Sequence, residues 1–151
     1  MSADLTPHDK EVRRIIFDTL MRTGKAPSST EIASSLAASH EAVRDSFQRL
    51  ADAHMLLLQR ASGEILMAGP FSAVPTAFQV HSGGVSYWGN CIWDALGIPA
   101  MLHQDAQITT ACGDCGEAMQ LTIEGGTLAP AEGIIHFAIP ARRWWDNLVY
   151  T

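Results

Sequence analysis

Three cysteines and one carboxyl stand at spacings that could do chemistry. Cys91 and Asp94 are three residues apart in Asn90-Cys91-Ile92-Trp93-Asp94, and on a helix such a pair shares one face. A thiolate is a soft nucleophile and a soft-metal ligand. A protonated carboxyl can deliver a proton to an atom held beside that sulfur. Their charges conflict, because an ionised Asp94 disfavours the Cys91 thiolate while a helix N-terminus favours it. A bound cation would relieve the conflict. Spacing alone favours a plainer reading, in which Cys91 is a small buried hydrophobe and Asp94 bonds locally.

Cys112-Gly113-Asp114-Cys115 is the second candidate. One C-x-x-C with glycine after each cysteine looks like half a zinc knuckle. Structural zinc needs four ligands and no second pair exists, so His103, His136 or another chain would have to complete the site. A tight turn carrying two ordinary thiols is favoured over a zinc-stabilised one. A redox role needs a thioredoxin-like strand–helix context, which Gly113 and Gly116 disfavour. An odd cysteine count without a secretory signal makes reduced thiols the default.

These residues need elements to position them. Gly69–Val80 is expected to be extended, since Pro70 and Pro75 exclude a helix. After the Gly83-Gly84 turn, the stretch from Tyr87 to Pro99 is read as a short helix that carries Cys91 and Asp94 and is ended by Gly97 and Pro99. Strands are expected at Ala106–Thr110, Gln120–Ile123 and Ile134–Ile139. The result is a small, mostly antiparallel sheet with the Cys91 helix packed on it. Trp88, Trp93, Trp144 and Trp145 are read as core residues in preference to a pocket lining.

Upstream, Val12, Ile15, Ile16 and Leu20 recur at helical spacing, which predicts a helix near Lys10–Met21 broken by Gly24 and Pro27. Ser28 and Glu31 form a capping box opening a second helix with Ile32 and Leu36. Val43, Phe47 and Leu50 mark a third. Met55–Gln59 and Glu64–Met67 flank Ser62-Gly63 as a hairpin. Three helices and a hairpin predict a winged helix-turn-helix-like module. Its third helix exposes His40, Glu41, Arg44, Asp45, Arg49 and Asp52, more acid than base, whereas a DNA reader needs cations. A scaffold or lid is the favoured role.

Charge supports this division. The 151 residues carry a formal charge of −6, with 47% apolar and 17% charged residues, a mixture that excludes intrinsic disorder and argues against a polyanion binder. Residues 1–60 are balanced, with eight bases and eight acids, but no Lys or Arg occurs from Ala61 to Ala141. All three cysteines lie in that base-free stretch. The fold class is therefore read as α+β, with a winged-helix-like module at residues 1–68 and a sheet-and-helix core at 69–151. No apolar run could span a bilayer, and the polar start MSADLTPHDKEV has no signal-peptide core. A cytoplasmic location is expected.

Four ordered segments carry a resemblance: FSAVPTAFQV, YWGNCIWDALGIPAML, ITTACGDCGE and IHFAIPARRWWDNLVYT. Together they resemble the alkylmercury (organomercurial) lyases, over most of residues 69–151. The resemblance implies that Cys91 is the first catalytic cysteine, Asp94 the catalytic aspartate, and Cys112 a structural cysteine. It implies protonolysis of a carbon–mercury bond, with Cys91 and Asp94 then holding Hg(II). No organic cofactor is implied. The partners are an organomercury substrate and, for the product, a small thiol or a mercuric reductase. The family's second mercury-holding cysteine should fall just after Val149-Tyr150-Thr151, so the chain is read as a fragment or a shortened relative. Cys112 and Cys115 remain candidate metal ligands. The alternatives are a metal- or mercury-responsive winged-helix regulator and a catalytically inactive mercury-binding protein.

Overall fold

The computed structural model describes residues 4–148. Three helices come first: α1 (Pro7–Thr23), α2 (Ser29–Leu36) and α3 (His40–Asp52). Each begins where a hydroxyl can accept from the free N–H groups of the first turn. Ser28 and Glu31 make the predicted capping box, and Thr6 and Asp9 make another at α1. That second box, with Pro7 in the first turn, starts α1 earlier than the apolar periodicity suggested. Val12, Ile16 and Leu20 of α1 meet Ile32 of α2 and Val43, Phe47 and Leu50 of α3, all buried.

The hairpin expected next is present. β1 (Leu57–Leu58) pairs antiparallel with β2 (Ile65–Ala68), and β3 (Phe71–Ser72) adds a third strand to β2. A second sheet has five strands, all antiparallel, in the order β5-β4-β6-β7-β8. They are β4 (Gln79–Ser82), β5 (Val85–Trp88), β6 (Ala106–Ala111), β7 (Ala118–Glu124) and β8 (Thr127–Leu128). Helix α4 (Ile92–Leu102) packs on β4 and β6 through Ala95 and Ile98, which meet Val80 and Ile108 in one buried cluster. The class is α+β, helices first and antiparallel sheets after. No helix among the described residues is long and apolar enough to cross a membrane.

Three local expectations fail. Tyr87 and Trp88 belong to strand β5, paired with Val80 and Gln79, and not to the helix. Helix α4 runs through Gly97 and Pro99 and ends at Leu102, where His103 adopts the left-handed conformation. Proline costs one backbone bond inside a helix, but Pro99 is buried beside Ile98, so packing outweighs the propensity. Ile134–Ile139 forms no strand among the described residues: the strand joining the outer edge of β7 is the short β8, at Ile123 and Glu124, and an apolar run with no sheet face to bury against has little strand preference of its own. Ile134 is 94% exposed. The apolar stretch Leu148-Val149-Tyr150, whose residue types also suit a strand, lies outside the described residues from Val149 on.

Gly24 and Tyr87 help tie the helices to the rest. Gly24, at φ 71°, ends α1 against β5: a Cβ there would collide with the Ser86 carbonyl oxygen. The adjacent Tyr87 hydroxyl donates to the Met21 carbonyl at 2.6 Å. Within the helices, the Asp9 carboxylate is fully buried and accepts from Arg49 Nη2 at 2.8 Å and Ser46 Oγ at 2.6 Å. The Arg49 guanidinium holds the Asp9 carboxyl well below the usual carboxylate range. A carboxylate depressed in this way contributes stability above its ordinary value of 3.8, and that contribution fades as pH falls through the folded value. Asp9→Asn should lower the unfolding free energy at pH 7 by roughly 2–4 kcal/mol, below the full range for a buried pair because Arg49 is partly exposed. Urea titrations of wild type and variant should draw together as pH is lowered from about 4 toward 2. Equal midpoints at pH 7 would refute the assignment.

Candidate functional site

The N-terminus of α4 is set by a close backbone approach. Gly89 follows β5 and bridges to Phe71 of β3. A Cβ on Gly89 would lie 2.8 Å from the Ala95 nitrogen, so only glycine lets the strand end rest on the first turn of α4. The Gly89 N–H donates to the Phe78 carbonyl at 2.9 Å, and its carbonyl accepts from Thr76 Oγ1 at 2.6 Å. With Gly89 clamped on both sides, the next two residues are aimed. Cys91 is extended (φ −148°, ψ −177°) and forms the N-cap of α4, its carbonyl accepting from the Ala95 N–H at 2.9 Å. Cys91 therefore stands just outside the helix and Asp94 in its first turn.

Asn90 completes the group and was not singled out from sequence. Its Nδ2 donates to Asp94 Oδ2 at 2.9 Å and to the Pro70 carbonyl at 3.3 Å. Two acceptors on one nitrogen fix the amide orientation. Asn90 and Asp94 are four apart, a spacing at which polar side chains meet across a helical turn; that was the available signal. Asn90 Oδ1 is buried without a hydrogen-bond partner among the described residues.

Cys91, Asp94 and Asn90 line one cavity of about 380 Å³. Its other walls come from distant parts of the chain: Arg13 and Phe17 of α1, the His54–Leu57 segment after α3, and Phe137, Trp144 and Trp145. The His54 ring stacks on Trp145 at 4.2 Å between centroids and 9° between planes, joining the helical region to the 3-10 turn at Ala141–Asp146. The tryptophans are not the core residues expected. Trp144 and Trp145 line the cavity, Trp145 is 47% exposed, and Trp93 is 62% exposed. On a helix only 11 residues long, the buried side of α4 is filled by the smaller Ala95 and Ile98.

The electrostatics follow from burial. Burial pushes the Asp94 carboxyl up from its ordinary value, opposed by hydrogen bonds from Asn90 and Cys91. Burial likewise pushes the Cys91 thiol up. The Asp94 and Trp93 backbone N–H groups favour the thiolate, while the Asp94 charge disfavours it. No side-chain hydrogen bond caps the helix at Cys91, so the N–H groups act as nearby dipoles and burial prevails. Both groups are thus biased toward their protonated forms.

Cys112 and Cys115 lie elsewhere, in the turn between β6 and β7, and do not line this cavity. Among the described residues, no three His, Cys, Asp or Glu side chains cluster as metal ligands. The cations of α3 are engaged within the chain: Arg49 with Asp9, and Arg44 with the Ser62 carbonyl and Glu64.

Alkylation of Cys91 by iodoacetamide, followed in a Cys112→Ser/Cys115→Ser background, should show a midpoint above the ordinary 9.0. Asp94→Asn should move that midpoint down, because the carboxylate charge then no longer opposes the thiolate. A midpoint that stays or rises would contradict the electrostatic coupling.

Residues 71–151 match the alkylmercury lyase (MerB) family. The fold is similar to a solved structure described as the crystal structure of the mercury-bound form of MerB2, at 26% identity and a TM-score of 0.66. That similarity covers 85% of this chain and 61% of the other, so the chain spans about three fifths of that protein's length. No curated protein matches the chain. With more than half of its residues matched to the family, the chain belongs to the alkylmercury lyases.

Proposed function

We propose that this chain cleaves carbon–mercury bonds by protonolysis, with Cys91 as the mercury ligand and Asp94 as the proton donor. The observation that supports this most directly is one cavity wall holding a half-buried thiol beside a half-buried carboxyl, with partial burial favouring the protonated form of each. An acid at neutral pH needs such a raised carboxyl.

The steps balance as follows. The Cys91 thiol exchanges with the thiolate carried by an organomercury cation, giving Cys91–S–Hg–R and a free small thiol. Mercury, softer than zinc, prefers that sulfur. Sulfur donation weakens the mercury–carbon bond and places charge on carbon. The Asp94 carboxyl transfers its proton to that carbon, releasing R–H and leaving a carboxylate beside Hg(II). Two external thiols then remove the metal as a dithiolate and return protons to Cys91 and Asp94. Asn90 positions the carboxyl through its 2.9 Å bond. Phe17, Phe137 and Trp144 offer an apolar wall for the organic group.

On this reading the helical region, a winged-helix-like module over residues 1–68, is a wall of the active site. Arg13 and His54 reach the cavity, whereas the α3 arginines are paired internally, which disfavours a DNA-binding role. The core at 69–151 carries the chemistry. The Hg(II) acceptor is a small thiol or a mercuric reductase, and the setting is cytoplasmic mercury detoxification.

Incubation with methylmercury or phenylmercury and excess thiol should release methane or benzene, measured by headspace gas chromatography. Cys91→Ser should abolish release, and Asp94→Asn should slow it by roughly 10²–10⁴-fold. In deuterated buffer the hydrocarbon should carry one deuterium. Mercury bound through Cys91 with no hydrocarbon formed would make the chain a binding protein and overturn the lyase reading.

A further inference from the structure

The Cys112–Cys115 turn takes no part in the steps above, yet it is built in a way an incidental loop need not be. After the ladder pair Ala111–Ala118, the Cys112 N–H donates to the Glu117 carbonyl at 2.8 Å, and the Gly116 N–H donates to the Cys112 carbonyl at 2.9 Å. These two bonds close the turn on itself. Gly116, at φ 73°, supplies the left-handed residue that lets the chain return. Both cysteines are free thiols, Cys112 half-buried and Cys115 exposed. The backbone N–H groups of Cys115 and Asp114, and the Cys115 thiol, lie within hydrogen-bonding reach of the Cys112 sulfur. One closed loop thus presents two thiols side by side.

Coordination number then sorts the ligands. A structural zinc takes four protein ligands, and among the described residues no third His, Cys, Asp or Glu joins these two in a metal-binding cluster. Calcium and magnesium need six or more oxygens. A soft d10 cation that is satisfied by two thiolates needs nothing more than this turn offers.

We propose that the Cys112–Cys115 turn is a second, non-catalytic soft-metal site that takes Hg(II) as a dithiolate. Hg²⁺ and two thiols give S–Hg–S and two protons, with no change of oxidation state. Binding there does not require the lyase reaction. Where the lyase reading above holds, the ion released at Cys91 is a cation this turn can retain on the same chain.

The test uses the full chain, mercuric chloride alone as metal, and excess 2-mercaptoethanol as competitor. Bound mercury is measured after desalting, together with the ultraviolet thiolate-to-mercury absorption. Cys91→Ser should retain one mercury per chain and elute on size exclusion where the metal-free protein does. Adding Cys112→Ser or Cys115→Ser to it should weaken retention by roughly a hundredfold or more, as expected when a tethered second ligand is lost. Exposed Cys115 is the variant less able to disturb the fold. Zinc offered in place of mercury should be lost on desalting.

Full retention in either double variant, no retention in Cys91→Ser, a mercury-bridged dimer or tightly held zinc would each overturn the proposal. Hydrocarbon release by the wild type is measured separately. Its absence would sink the lyase reading and leave this site standing.

Discussion

Everything at the candidate site depends on taking a carboxyl and a thiol partly out of water together. In water both would sit at ordinary values, and Asp94 would be fully ionised at neutral pH. Burial biases both toward protonation, and it is maintained by elements that have little else in common. Gly89 brings the end of β5 onto the first turn of α4. Asn90 ties Asp94 to the Pro70 carbonyl. Phe17, His54 and Trp145 close the cavity from α1, the end of α3 and the 3-10 turn. Remove the walls and the pair reverts to an exposed cysteine and aspartate with no special reactivity.

That constraint gives the helical region its place. Its own core is assembled from the buried faces of α1, α2 and α3, with the Asp9–Arg49–Ser46 cluster holding α1 to α3. Gly24 and the Tyr87–Met21 hydrogen bond then seat α1 on β5. Seated there, α1 presents Arg13 and Phe17 to the cavity, the Arg13 guanidinium lying 5.0 Å above the Phe17 ring. A region whose fold could suggest DNA binding thus supplies a wall of the cavity, with Arg14, Arg44 and Arg49 engaged in internal pairs.

Local rules made much of the fold legible. The capping box at Ser28, the glycine that ends α1, the apolar stripes of the three helices and the turns at Ser62-Gly63 and Gly83-Gly84 all act within a few residues. The misreadings arose where a distant partner decides. Tyr87 and Trp88 are a strand because β4 lies beside them. Pro99 stays inside a helix because Ile98 and its neighbours are buried against the sheet. Ile134–Ile139 lacks a ladder because it finds no sheet face to pack on, Ile134 and Ile135 both being exposed.

The sequence by itself determined the chemical inventory: a cysteine three residues before an aspartate, a separate C-x-x-C, and a long stretch without a base. It also carried the ordered segments that mark the family. Only the tertiary structure decided the protonation bias of Cys91 and Asp94, the part of Asn90, the aromatic walls from both ends of the chain, and the separation of Cys112 and Cys115 from the cavity. The physical reason is that residue type and spacing fix what a group can do. Its environment fixes whether it is charged, and that environment is built by side chains that are close in space and far apart in sequence.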